Sequence, residues 1–398
     1  MKKLLSVFCA LSATVALAVG TEITNLAWDN SVNGVVSISY QLTGNPSRVT
    51  LDIVTADGAS VTANGVFTGD TDDILAPGAH HVVWTVTDET FLTTKLYKKG
   101  GLYVKAAATN PAAGADYMVI ELATGKAAFY ANAAAVPSGI TDAKYKTTHM
   151  AFRRIPAAGQ VARLGRGRGE TCHASYAATT RPAYLHEFDD DYYMAVYEMT
   201  IGHYIALGNT YSGVFGQNAY AGKAHNATPQ TDWQWHPLES VSTTTAASLA
   251  STLQTRFRAA NVLGYVFAVP SEDEWEFACR AGCPRDLPMG TRGYVSSTYG
   301  YNNAWIANYQ TCEAFYTAGN KVKYNDPIPV GRLPANAWGL YDMLGNVAEL
   351  AVRDGSSYVS RGGGCVMSGE NMLASTATAT SVNQSYEQGF RLVCRLGE

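Results

Sequence analysis

Apolar and polar residues alternate with a period of two along the first part of the chain. Val36, Ile38, Tyr40 and Leu42 fall on one face of a predicted strand, and Ser37, Ser39 and Gln41 on the other. Val49, Leu51 and Ile53 repeat the rhythm, as do Val82, Trp84 and Val86, then Leu102, Val104 and Ala106. Asp57-Gly58, Asn64-Gly65 and Pro77-Gly78 separate these runs with turn chemistry.

Short strands at this spacing predict an all-β sandwich over 21–107, of the immunoglobulin or fibronectin type III kind. Residues 108–148 are rich in Ala and Gly with one strand-like piece, Tyr117 to Ile120, and are expected to be a linker packed on the second domain. From 149 to 398 the pattern changes to short strands, long loops and a few helices. In "PSEDEWEFACRAG", Ser271 and Glu274 have the spacing of a capping box, and Trp275, Ala278 and Cys279 form the buried face of a helix that Gly282 ends. Leu249, Leu253 and Phe257 predict a second helix over 246–259. A third comes after Thr200 with Ile201, Tyr204 and Ile205 inward. Phe390, Leu392, Cys394 and Leu396 alternate inward on a closing core strand.

At 398 residues the chain is longer than one core usually organises, which agrees with two domains. Residues 1–20 place two lysines before a short apolar run that ends in small residues, the pattern of a signal peptide. Export to the periplasm, the cell surface or the medium is therefore expected, and no segment reads as membrane-spanning. Six cysteines lie beyond the leader, Cys172, Cys279, Cys283, Cys312, Cys365 and Cys394. In an exported chain an even number favours disulfides, with the pairing open. Charged residues make up 16% of the chain and the net charge is −4, so nothing resembles the basic surface that nucleic acid requires.

Six ordered motifs carry a resemblance: "RIPAAG" from Arg154, "YEMT" from Tyr197, "VPSEDEWEFACRAG" from Val269, "PANAWGLYDMLGNVAEL" from Pro334, "RGGG" from Arg361 and "GFRLV" from Gly389. In this order they are similar to the formylglycine-generating enzyme, or sulfatase-modifying factor, family. The resemblance implies an α+β domain with a C-type-lectin-like fold of the formylglycine-generating-enzyme type. In that family two cysteines after the glycine run bind copper and activate oxygen to oxidise a substrate cysteine. Their positions carry Met367 and Met372 here, and positions that are aromatic in the family carry Ala348 and Leu350. A thioether can neither ionise nor form a mixed disulfide, so no catalytic residue and no redox metal is expected.

The resemblance also implies a structural calcium ion, held by the carboxylates of Asp342 and Glu349 and the carbonyls of Gly345 and Val347. Hard oxygen donors on one tight loop suit Ca²⁺, though both carboxylates equally fit ordinary loop residues. It further implies a Cys279–Cys394 disulfide joining the capped helix to the last strand. A ligand-binding cleft is expected where Arg361, Met367, Glu370 and Asn371 meet the aromatic loops that bear Trp233, Trp235 and Trp305. Those rings either roof a small core or form a stacking platform for a glycan or peptide. The sequence thus points to an exported binding or adhesion protein. A metal-dependent oxidase or oxygenase of this family, and a structural matrix or surface component, are the other two readings.

Overall fold

The computed structural model describes residues 22–32, 34–44, 47–71, 75–88, 91, 102–109, 114–166, 181–211, 232–261, 263–283, 316–317, 320–321, 327, 329–332, 335–355, 357–364, 374–379 and 388–395. The chain divides into two units, Met1–Gly114 and Ala115–Glu398.

The first unit is all β among the strands described: β1 (Glu22–Asp29), β2 (Val35–Thr43), β3 (Arg48–Thr55), β4 (Gly65–Gly69), β5 (Gly78–Val86) and β6 (Leu102–Thr109). Antiparallel pairing gives one sheet in the order β1-β2-β5-β4 and a second of β3 with β6. Residues of both sheets share one core, in which Ile38, Leu42 and Trp84 lie with Ile53, Leu102 and Val104. The period-two pattern is the cause, because only alternate residues of each strand can face inward. Trp84 is wholly buried, and its indole N–H donates to the Thr62 carbonyl at 3.1 Å. Its ring also explains Gly65, where a Cβ would come within 2.5 Å of it.

The second unit begins inside the expected linker. β7 (Tyr117–Glu121) and β8 (Ala127–Tyr130) pair antiparallel, and β7 pairs again with β9 (His149–Ile155). Tyr117, Met118, Val119 and Ile120 are all buried. The linker expectation is corrected here. The strand-like piece Tyr117 to Ile120 is a strand, but the composition hid β8 after it, and sheet pairing and burial make both part of the second unit.

Further along lie a hairpin, β10 (Gln160–Leu164) with β11 (Tyr184–Phe188), then β12 (Tyr192–Ala195), β13 (Val266–Ala268), a small hairpin of β14 (Tyr316–Thr317) and β15 (Asn320–Lys321), β16 (Ala348–Val352), β17 (Tyr358–Arg361), β18 (Ala377–Ala379), β19 (Gln388–Gly389) and β20 (Val393–Arg395). They complete a six-stranded sheet, β13-β20-β12-β9-β7-β8, and a four-stranded one, β18-β17-β16-β19. Three α-helices are described: α1 (Ile201–Ala206), α2 (Thr243–Ala260) and α3 (Glu272–Arg280). Each is capped by its preceding hydroxyl, Thr200, Ser242 and Ser271, and Ser271 with Glu274 forms the expected capping box. The left-handed residue after α3 is Ala281 (φ 46°), with Gly282 (φ 80°) next to it.

The six-stranded sheet is covered on both faces. On one, Met194 and Val393 join Trp275, Ala278 and Cys279 of α3 in a single core. On the other, Phe257 of α2 packs edge-on against Phe267, ring centroids 5.0 Å apart. Two-sided burial corrects the reading of "GFRLVCRL" as an alternating strand, since Phe390, Arg391, Leu392, Val393 and Cys394 are all buried.

Candidate functional site

α3 carries three glutamates on a short helix, and each holds arginine. Glu272 accepts from Arg361 Nη1 at 3.0 Å and from Arg353 Nε at 2.7 Å and Nη2 at 2.9 Å. Glu276 accepts from Arg361 Nη2 at 2.6 Å, from Arg280 Nε at 2.8 Å and from the Gly165 backbone N–H at 2.7 Å. Glu274 accepts from Arg395 Nε and Nη2, each at 2.6 Å. Burial pushes the Glu272 carboxyl up, but Arg353, Arg361 and Arg181 outweigh it and hold the group below its ordinary range. Glu272, Glu276 and Arg361 are all essentially sealed from solvent.

Arg361 is therefore not a residue of an open cleft, and that expectation is corrected. It stands at the end of β17 opposite Glu349 of β16, and the two acids of α3 draw it inward. Its Nη2 also donates to the Ala374 carbonyl at 2.6 Å, so it ties β17 to the stretch just before β18. Its guanidinium carbon lies 5.3 Å from the centre of the Trp275 ring. A second fully buried arginine, Arg391, uses all its donors. Nε and Nη2 grip Glu349 at 2.6–3.0 Å, Nη1 donates to the carbonyls of Ala195 and Val196, and Nη2 to that of Tyr341. The Trp275 indole N–H takes the remaining approach to Glu349 at 2.7 Å.

Beside this pair lies the loop from Asp342 to Glu349. Asp342 (φ 58°), Gly345 (φ 90°) and Asn346 (φ 63°) all take the left-handed conformation, which non-glycine residues adopt only when held there. Buried Glu198, just beyond β12, does part of the holding. It accepts from Asn346 Nδ2 at 2.7 Å and from the Val347 N–H at 3.2 Å. Gly345 N–H donates to the Gly362 carbonyl at 2.8 Å. Asp342 accepts from the Gly331 N–H at 2.7 Å through one oxygen. Its other oxygen, Oδ1, is buried and has no hydrogen-bond partner among the described residues.

Burial drives the Asp342 carboxyl up to about 7, with Gly331 and Arg391 pulling it down and Glu349 pushing it higher. Burial, with Asp342 and Glu349 nearby, drives Glu198 well above its ordinary value. Three buried carboxyls thus face one fully buried guanidinium. A hard cation would relieve this imbalance, and the orphaned Asp342 Oδ1 fits one. Glu349 does not fit as expected, because Arg391 and Trp275 occupy its oxygens. Among the described residues no group of three or more His, Cys, Asp or Glu is placed to hold a metal, so a cation here depends on main-chain carbonyls such as those of Gly345 and Val347.

The expected Cys279–Cys394 disulfide is absent, and both cysteines are free and buried. β20 supplies the reason. Val393 pairs with Met194, and both face the α3 core that contains Cys279. Cys394, one residue on, pairs with Tyr193 and faces the opposite side of the sheet. Burial pushes both thiols far above their ordinary value.

Trp233 and Trp235 form a one-turn 3-10 helix and are half-buried. Trp233 stacks on Tyr211, and Lys146 Nζ sits 4.8 Å over the Trp235 ring and 5.5 Å over Tyr197. Both rings are engaged within the fold. Met367, Glu370, Asn371, Met372 and Trp305, the leader 1–20, and Cys172, Cys312 and Cys365 lie outside the described residues. Glu198, Trp275 and Arg391 stand inside the sequence motifs, yet sequence reasoning gives them no role in this network. The available signal was a charge within an apolar run, as in "AVYEMTI" and "GFRLVC", which needs a buried partner.

The second unit is thus an α+β domain, mostly sheet, whose motif residues meet in one buried ionic network. Residues 154–396 match the Sulfatase-modifying factor enzyme 1-like domain, and the chain belongs to that family. It is 33% identical over 81 residues to a formylglycine-generating enzyme of Mycobacterium tuberculosis (strain ATCC 25618 / H37Rv), a match covering 20% of this chain and 25% of that protein. It is 30% identical over 82 residues to the formylglycine-generating enzyme of Mus musculus, covering 20% of each. These matches thus span a quarter or less of either relative. Among solved structures, Treponema denticola variable protein 1 is similar with a TM-score of 0.44 and 19% identity, over 62% of this chain and 96% of that one. The crystal structure of CarF gives a TM-score of 0.39 and 21% identity, over 61% and 97%. Among the described residues no helix is long and apolar enough to cross a membrane.

Proposed function

We propose that this protein is exported and non-catalytic, and that its sulfatase-modifying-factor domain is a ligand-binding or adhesion module. The observation that carries the reading is that both positions of the family's reactive cysteines hold methionine, Met367 and Met372. Oxygen activation there needs a thiolate, and a thioether has no proton to lose. The thiols of Cys279 and Cys394 are no substitute, because burial holds them neutral. Arg361 supports the same reading, since the start of the glycine run is engaged in holding the domain together.

On this reading the domain takes the C-type-lectin-like form of the formylglycine-generating-enzyme type, and the first unit is an immunoglobulin- or fibronectin-like module. The ligand is a glycan or peptide. Calcium, held by Asp342 with the carbonyls of Gly345 and Val347, supplies positive charge to a loop otherwise short of it.

The test takes purified mature protein and a cysteine-bearing sulfatase peptide, with and without copper. No aldehyde is expected, and redox metal at well below one equivalent is expected by mass spectrometry. Conversion of the peptide would defeat the proposal. Glycan and peptide arrays run with and without calcium then look for the ligand.

A further inference from the structure

The outermost strands of the two sheets in the first unit are β1, β4, β3 and β6, and three of these edges are blunted against pairing. β1 breaks register between Thr24 and Ala27, where Asn25 is left-handed (φ 54°). β4 is five residues long with glycine at each end. The outer edge of β3 is filled from within the chain. Thr55 N–H donates to the Ala59 carbonyl at 2.9 Å, Ile53 N–H to Thr62 Oγ1 at 2.8 Å, and Val61 N–H to the Ile53 carbonyl at 2.7 Å. β6 has none of these devices: it runs eight residues in unbroken register with β3 and contains no proline.

The bonds of β3 also fix which groups β6 presents. Ile53 and Thr55 aim their main-chain groups away from β6. Their opposites, Val104 and Leu102, therefore aim theirs away from β3, and Ala106 and Ala108 follow by the period of two. The Leu102 carbonyl is taken by the Trp28 indole N–H at 3.3 Å. The outward N–H and carbonyl groups of Val104, Ala106 and Ala108 pair with nothing among the described residues. The one charge on β6, Lys105, stands opposite Asp52 of β3, which offsets it.

The geometry points to a second copy of this chain as the occupant of this edge: β6 pairs antiparallel with β6 of the other copy about a two-fold axis at Ala106. The strand is its own complement there. Ala106 meets Ala106 and Val104 meets Ala108, each pair exchanging backbone bonds. On the exposed face Lys105 lands opposite Ala107, so the two lysines never oppose each other. The run Ala106-Ala107-Ala108 puts no bulk at the contact. Two-fold pairing consumes both open edges and stops the assembly at two. The inference rests on the first unit alone and is independent of the ligand-binding reading.

Sedimentation velocity on the full-length mature protein should show a monomer–dimer equilibrium that shifts with concentration. Ala106→Pro removes an N–H that bonds nothing inside the unit. It should give a folded monomer at every concentration, with the Tm of the dilute protein unchanged. Ala107→Glu puts a carboxylate opposite Lys105 of the other copy, and Ala107→Lys puts an ammonium there. The first should tighten the dimer and the second weaken it, each by roughly twofold to thirtyfold through two symmetric contacts. This pair of variants also keeps the test decisive if Ala106→Pro fails to fold. A wild type that stays monomeric up to its solubility limit overturns the proposal. So does a dimer whose dissociation constant none of the three variants changes.

Discussion

Arg361 Nη2 and Glu276 Oε2 lie 2.6 Å apart, and neither side chain is exposed to solvent. The pair joins the end of β17 to the middle of α3. Glu272, one turn earlier on the helix, holds the other arm of the same guanidinium. An arginine that introduces a glycine run would ordinarily suggest a site open to ligand. Here it is an internal brace.

Removing Arg361 takes a buried cation from two carboxylates at once, leaving Glu272 to Arg353 and Glu276 to Arg280, and breaks its bond to the Ala374 carbonyl as well. Arg361→Met should therefore cost about 3–5 kcal/mol of stability, read as a lower urea midpoint. A single variant within about 1 kcal/mol of the wild type would contradict the burial of the pair.

The two buried thiols should be silent. Iodoacetamide applied to the native protein at pH 8 should leave Cys279 and Cys394 unmodified, and the same reagent in denaturant should label both. Peptide mapping under non-reducing conditions is the check. A Cys279–Cys394 crosslink would require Cys394 to reach through the sheet.

Acid should weaken the second unit through His203. This residue is wholly buried, and its Nε2 lies 3.1 and 3.0 Å from the carbonyls of Tyr145 and His149. The Thr200 N–H donates to its Nδ1 at 3.3 Å, so the ring must stay neutral with its proton on Nε2. Burial lowers its pKa to about 4. Because the folded value lies below the unfolded one, its contribution is whole above about pH 6.5 and is lost as pH falls toward 4. The full loss is on the order of 3 kcal/mol. His203→Gln should flatten that part of the pH–stability curve, measured by urea denaturation from pH 7 to pH 4.

Gly125 (φ 79°) closes the turn between β7 and β8, and a Cβ there would meet the Arg256 carbonyl oxygen at 2.3 Å. Gly125→Ala should lower Tm by several degrees, since both the backbone angle and the space are refused. An unchanged Tm would mean that this turn and α2 can part at little cost.

Much of the fold could be read from the chain because its signals are local. The capping box at Ser271 and Glu274, the inward face of Trp275 and the strand bearing Ile38 and Leu42 each depend on residues a few positions apart. The linker expectation failed where the signal was not local. Tyr117 to Ile120 read locally as a strand, but their place inside the main sheet of the second unit comes from pairing with β9, more than twenty residues later.

The sequence by itself determined the family, through ordered motifs, and it carries the proposal of a non-catalytic domain, because methionine at 367 and 372 has no ionisable sulfur. Tertiary structure alone decided the partners. Pleating sent Val393 toward α3 and Cys394 away from it, which separated two thiols that a sequence would pair. Packing put Arg361 between Glu272 and Glu276, and Arg391 onto Glu349, from positions scores of residues apart. Buried charge must find its counter-charge in space, and distance along the chain carries no record of where that will be.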